Sequence, residues 1–348
     1  MSIALRPSPF HVRMALHNHD NAWTARGAYT VPARFGSPAH EALAARFSCV
    51  LADLSALEEM RVQGAGAAEL LATACGGVVR AMEAGEARQV HWCSEGGGLR
   101  GFGTLLRESE DSFLLRAEDT DIGWFAPHAA RFGVIINESE AGRGLLLLAG
   151  FSAPSLLAAA GLEQAGALAA HRHIRHDWHG IPVTLGRHAR LNGFLVGCAA
   201  DDGVLVFDRL FRAGKSAGLR LAGQEALELM HLEAGLVLPH LDFSPARDDV
   251  AREPLPSSLG IGAPSPASRV LAGVEFDSEE PYPFAPLFHE GNEAGRTLRS
   301  AYCLALRRAI ALARIDPKRA APGTVLQTGT GGKNSSGQAA RVVALPFL

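Results

Sequence analysis

Apolar residues recur along this chain with several periods, and each period predicts an element. Residues Gly64–Cys75 (GAGAAELLATAC) are rich in Ala and Leu and predict a short helix that stops at Gly76-Gly77. Leu145–Leu148 is an uninterrupted apolar run, the pattern of a buried strand. Gly150 follows, then a small helix opened by Ser152 and closed at Gly161. Between Ala222 and Ala234, the apolar residues Ala226, Leu229, Met230 and Ala234 fall near the helical repeat, and Gly235 ends the element. Strand-like runs recur at Gly133–Ile136, Ile181–Leu185, Phe194–Cys198 and Val204–Phe207. Strands and helices alternate too irregularly for a doubly wound sheet, so the predicted fold class is α+β.

Pro254–Ser268 (PLPSSLGIGAPSPAS) is uncharged, aperiodic and rich in Pro, Gly and Ser, and reads as a linker. The chain beyond it reads as all-β, with runs at Val270–Phe276, Leu298–Leu304, Ala309–Ile315, Thr324–Thr328 and Ala340–Leu345 between Pro, Gly and Asn turns. That pattern predicts a barrel or sandwich of roughly 80 residues. The expected organisation is one region over residues 1–262 and a β-barrel over 263–348.

Composition narrows the class. With 348 residues, 47% hydrophobic and 20% charged, the chain can bury a large core, as a globular enzyme does. A net charge of −3 with interspersed signs offers no footprint for nucleic acid, and no apolar run is long enough for a membrane span. The segment Met1–Pro7 lacks the apolar core of a secretory signal. Five scattered cysteines without C-x-x-C spacing fit reduced thiols in a cytoplasmic protein. The expected partner is a small-molecule substrate, with a homodimer left open.

Two clusters invite special chemistry and are read conservatively. In His171-Arg172-His173-Ile174-Arg175-His176-Asp177-Trp178-His179, His171 and His173 share a face at strand spacing, which invites a metal. The interleaved arginines would repel a divalent cation, so a polar edge strand is the better reading. Trp178, near its end, is carried as a candidate ligand contact. Gly329–Asn334 has the glycines and lysine of a phosphate loop at the wrong spacing, and reads as a hairpin turn.

Four stretches in fixed order carry a resemblance. They are Glu41–Gln63 (EALAARFSCVLADLSALEEMRVQ), His91–Leu115 (HWCSEGGGLRGFGTLLRESEDSFLL), Glu228–Leu238 (ELMHLEAGLVL) and Ala309–Leu348. Together they resemble the glycine-cleavage T-protein (aminomethyltransferase) superfamily from about residue 22 to the end, near its demethylase-like branch. The resemblance implies tandem folate-binding lobes in a cloverleaf, then a C-terminal barrel, with tetrahydrofolate in the central pocket. It also implies aminomethyl transfer, oxidation of methylated amines or demethylation as chemistry.

Residue by residue, the family's chemical groups are replaced. Gly101-Phe102 stands where relatives carry a pair of aspartates, with Gly101 at the catalytic one, and Gln89 stands for a tyrosine. The family strand Y-T-G-E/D-x-G-[FY]-E aligns with His188–Leu195, so His188-Ala189-Arg190 replaces Tyr-Thr-Gly and Leu195 replaces the glutamate that pairs with the pterin. Leaving buried donors unpaired costs about 1–3 kcal/mol, and losing a proton-handling group costs roughly 10²–10⁴ in rate. His188 is the candidate acid or base and Arg190 the candidate anion contact. Tyr29, in a family-like Y-x-x-P close to His17–Asp20, is a second candidate acid. Glu233, at a helix end, is read as a structural carboxylate satisfying backbone N–H groups, and Cys93 and Cys303 as core residues. Three functions follow: a tetrahydrofolate-dependent methyl transferase, a pocket rebuilt for an anionic small molecule, or a non-catalytic regulator. Under the first, Gly101→Asp and Leu195→Glu are expected to strengthen folate binding.

Overall fold

The computed structural model describes residues 5–93, 99–138, 142–188, 191–242, 269–329 and 337–348. The chain forms two compact units, Met1–Trp92 with Gly101–Leu227, and Cys93–Arg100 with Glu228–Leu348. The proposed linker, the turn at Ser94–Gly98, Arg190 and most of Gly329–Asn334 lie outside the described residues.

The first unit holds two large sheets and a small one of Arg6–Pro7, Tyr29–Pro32 and Trp23–Arg26. The six-stranded sheet runs in the order His173–Trp178, Ile181–His188, Gly193–Ala199, Arg143–Ala149, Val50–Asp53, Arg220–Ala222. Its inner strand Arg143–Ala149 is buried from Gly144 onward, which explains the unbroken apolar run at Leu145–Leu148. His173–Trp178 is an edge strand, as its polar composition suggested.

Helices Ala153–Ala159 and Gly203–Gly214 cover one face of this sheet, and Leu156, Leu157, Val206, Phe207 and Leu210 join Leu146, Leu148, Phe194 and Val196 in one core. Val204–Phe207 is therefore helical, not the expected strand. Its four residues are β-branched or bulky, but the period is legible only over the longer window, where Val206, Phe207, Leu210 and Gly214 form one buried stripe.

The five-stranded sheet runs in the order Ala87–Cys93, Leu99–Ser109, Ser112–Ala117, Glu58–Gln63, Ile135–Glu138. Helices Ala67–Cys75 and Ile122–Phe132 pack on one face, burying Leu70, Leu71 and Phe125 against Met60, Trp92, Leu105 and Phe113.

Two buried carboxylates explain why Glu41–Gln63 is so recognisable. Glu41 accepts the backbone N–H groups of Phe35, Gly36 and Gly223. Asp53 accepts the Ser8 hydroxyl and the Ser55 N–H, while Ser55 Oγ accepts the N–H of Leu145. Burial pushes the Asp53 carboxyl above its ordinary value, with the Ser55 and Ser8 bonds opposing the shift. Both carboxylates satisfy groups within the fold.

In the second unit, Val270–Phe276, Arg308–Ile315, Asn292–Cys303, Pro286–His289, Val325–Thr328 and Ala339–Val343 close a six-stranded barrel in that order. Its interior is rich in alanine (Ala272, Ala309, Ala311, Ala313, Ala340), as a narrow barrel requires. Pro286–His289 was not foreseen, because a four-residue strand opening on proline carries almost no period.

This unit begins at Glu228, and the part of it up to Asp242 is tied to the barrel. Arg299 donates from Nε and Nη2 to Asp242, and to the carbonyls of Glu228 and Leu236. Glu233 accepts the Cys303 thiol at 3.1 Å. Burial, and then that carboxylate, push the thiol up to about 12, so Cys303 is chemically quiet. Among the described residues, no helix is long and apolar enough to cross a membrane, and no group of three metal-ligating side chains converges.

Candidate functional site

Strand pleating decides which side chains meet between the two large sheets, since alternate residues share a face. On the six-stranded sheet, Val183 and Leu185 point into the helix-covered core, so Thr184, Gly186 and His188 take the other face. Leu195 lies opposite Gly186 in the neighbouring strand, and His173 opposite it on the other side. On the five-stranded sheet, Val90, Trp92 and Leu105 are in the helix-covered core. Ala87, Gln89, Thr104 and Leu106 therefore face the six-stranded sheet.

Between these faces lies a cleft of about 710 Å³, lined from one sheet by Gln89, Thr104, Leu106 and Arg116 and from the other by Leu145, His173, Thr184, His188 and Leu195. Among the described residues, no carboxylate lines it.

Three candidates from the sequence, Gln89, His188 and Leu195, are thus brought together. The Leu191 N–H points to His188 Nδ1 at 3.3 Å, which leaves the neutral ring's proton on Nε2. His188 is half-buried and lines the cleft.

The other candidates go elsewhere. Trp178 is 1% exposed, packs in the core behind the six-stranded sheet and donates its indole N–H to the Ala160 carbonyl. Packing, not ligand contact, accounts for it. Tyr29 lines a separate cleft of about 890 Å³ with Arg6, Glu58, Glu59, Thr120 and Arg143, so it and His188 do not share a cleft.

Gly101 faces the same core as Leu105, away from the cleft. A Cβ there would lie 2.1 Å from Trp92 Cζ2 and 2.4 Å from Cε2. Position 101 therefore cannot present a carboxylate to the cleft in this fold. Phe102 shares the cleft-side face with Thr104 and Leu106.

Two groups of this site, Thr104 and Arg116, were not read from the sequence. Arg116 is 7% exposed and donates from Nε and Nη2 to Glu59 Oε1, at 2.9 and 2.5 Å. Thr104, Arg116 and Glu59 stand in register across three adjacent strands. The available signal was one arginine inside the apolar strand Ser112–Ala117. His173, 7% exposed, donates from Nε2 to the Arg107 carbonyl at 3.1 Å.

Burial is the main cause that holds His173 below its usual value, with the Arg116 charge acting the same way. An unfolded chain protonates this ring near the ordinary histidine value of about 6.5, while the folded state resists. Folding stability from this group is therefore present at neutral pH and falls as pH drops below that value. His173→Gln should flatten that part of the profile. Urea unfolding near pH 7.5 and near pH 5.5 checks this, and equal slopes in both proteins would refute it.

The sequence matches known proteins along its length. The GCVT N-terminal domain model matches residues 12–251, and the glycine cleavage T-protein C-terminal barrel domain model matches 269–348. The aminomethyltransferase of Streptomyces avermitilis is 28% identical, covering 98% of both chains. A trimethylamine-oxide aldolase from Ruegeria pomeroyi is 25% identical over 94% of this chain and 46% of that protein. The solved structure of the glycine cleavage system aminomethyltransferase T from Bartonella henselae shares the fold, with a TM-score of 0.82 at 21% identity over 99% of this chain and 98% of that one. Both family models match in sequence order, and the closed C-terminal barrel is present: the chain belongs to the glycine cleavage T-protein family.

Proposed function

We propose that this chain is an enzyme of the one-carbon transferase type that acts on a small molecule in the inter-sheet cleft and does not grip a pterin there. The carrying observation is the chemistry of the lining. A pterin ring presents N–H donors that need acceptors, and Leu195 supplies a hydrocarbon surface beside Leu106 and Leu145. The family's tetrahydrofolate therefore does not fit these residues. Two donors left unpaired cost about 1–3 kcal/mol each.

Within the cleft, His188 is the candidate for proton transfer: its neutral ring acts as a base, and only the imidazolium it then forms acts as an acid. Thr104, Thr184 and Gln89 supply polar contacts that orient a ligand, and the leucines exclude water from it.

Calorimetric titration of the purified protein with reduced tetrahydrofolate tests the reading. The expected result is no binding up to millimolar ligand. Micromolar binding, about −8 kcal/mol, would overturn it. Tetrahydrofolate-dependent methyl transfer from a small methylated substrate would then take its place. That second reading has one observation in its favour: the end-to-end match to aminomethyltransferases, which spans both units. Under it, the Gln89 amide oxygen is the acceptor left to face the pterin.

A further inference from the structure

Arg116 is a buried cation with a defined orientation and an unused edge. Its Nε and Nη2 both donate to Glu59 Oε1, so the third nitrogen, Nη1, is left toward the cleft that the residue lines. The side chains of Arg116 and Glu59 are 7% and 11% exposed, so bulk water screens neither well. Beside Arg116 on the neighbouring strand stands Thr104, which also lines the cleft and carries a hydroxyl donor.

Charge completes the picture. Glu59 Oε2 also lies 3.9 Å from Arg143 Nε, so two guanidinium groups share one carboxylate. Among the described residues no carboxylate lines the cleft, while Arg172 and Arg187 line it together with Arg116, so its lining is electropositive.

We propose that Arg116 Nη1 and the Thr104 hydroxyl form an anion subsite that takes the carboxylate of the ligand. This inference rests on the reading that the inter-sheet cleft is the ligand site. A carboxylate matches the subsite in sign of charge and in donor count. Its two oxygens meet a guanidinium edge and a hydroxyl. A phosphate would bring more acceptor oxygens than these two donors satisfy. Glu59 is a positioning residue here. It fixes the guanidinium plane before ligand arrives, which reduces the ordering cost of binding.

The test compares benzoate with its neutral isostere benzamide, by calorimetry and by hydrogen exchange of strands Leu99–Ser109 and Ile181–His188. In the wild-type protein, benzoate should bind at least about tenfold more tightly than benzamide. Thr104→Val is nearly isosteric and should weaken benzoate several-fold and benzamide by a smaller factor, because the bond to a charged acceptor is the stronger one. Arg116→Met with Glu59→Leu removes the pair together, avoiding a lone buried charge, and should abolish the preference. Equal binding of acid and amide, with both strands protected, overturns the anion subsite but leaves the cleft as the ligand site. Acid-selective binding that survives the double substitution also overturns the subsite. Failure of both probes to bind or protect either strand overturns the cleft reading itself, and the subsite with it.

Discussion

Arg116→Ala should lower the free energy of unfolding by about 3–5 kcal/mol, the loss typical of breaking a buried ion pair from one side. Arg116 is 7% exposed and gives two hydrogen bonds to Glu59 Oε1. Truncation strands the Glu59 carboxylate, whose side chain is 11% exposed, without its bidentate partner. Arg143 Nε at 3.9 Å is too distant to replace those bonds, although its charge moderates the cost. Replacing both partners with apolar residues should cost far less, about 1 kcal/mol, because the only charge left is Arg143, whose side chain is 38% exposed to water. Urea denaturation measures both, provided the slope with denaturant is unchanged. A loss below about 1 kcal/mol in Arg116→Ala would show that water reaches and screens Glu59.

Gly101→Asp should cost about 3 kcal/mol of stability and gain no function. The new Cβ would sit 2.1 Å from Trp92 Cζ2, 2.4 Å from Cε2 and 2.8 Å from Cη2. Trp92 is fully buried and its indole Nε1–H reaches Asp121 Oδ2 at 3.3 Å, so the ring has little room to retreat. The added carboxylate would also enter a core of Leu70, Leu105, Phe113 and Phe125. Phe102→Asp is the informative comparison. It places a carboxylate on the face shared with Thr104 and Leu106, and its effect on stability should be clearly smaller, because Phe102 is only half-buried. Thermal melts of the two variants side by side decide the point. A stable, folate-binding Gly101→Asp protein would show that the strand Leu99–Ser109 sits in a different register.

These two results bear on how much of the site can be read without coordinates. Gln89, His188 and Leu195 were found from their places in family motifs, and all three line one cleft. Tyr29 was chosen from a family-like motif and Trp178 from its place in the histidine-rich segment, yet Tyr29 lines another cleft and Trp178 is core. Proximity in a motif does not reveal the facing side of a strand, and a shift of one residue reverses it. Arg116 was missed for the converse reason. One arginine in an apolar strand is legible as unusual, but its partner Glu59 lies 57 residues away.

By itself, the sequence determined the family, the α+β class and the separate C-terminal barrel, along with most elements whose apolar period spans enough residues. These are local properties: burial on one or both faces imposes a repeat that the chain must carry wherever it folds. It did not determine the helix at Gly203–Gly214 from a four-residue window, nor the short strand Pro286–His289. Tertiary structure alone decided that Gly101 backs onto Trp92, that Glu59 holds Arg116 by the cleft, and that His188, Gln89 and Leu195 share one space. Those facts depend on pleat direction and on register between strands remote in the chain, which the side chains specify only collectively, through the packing of two sheets and their helices.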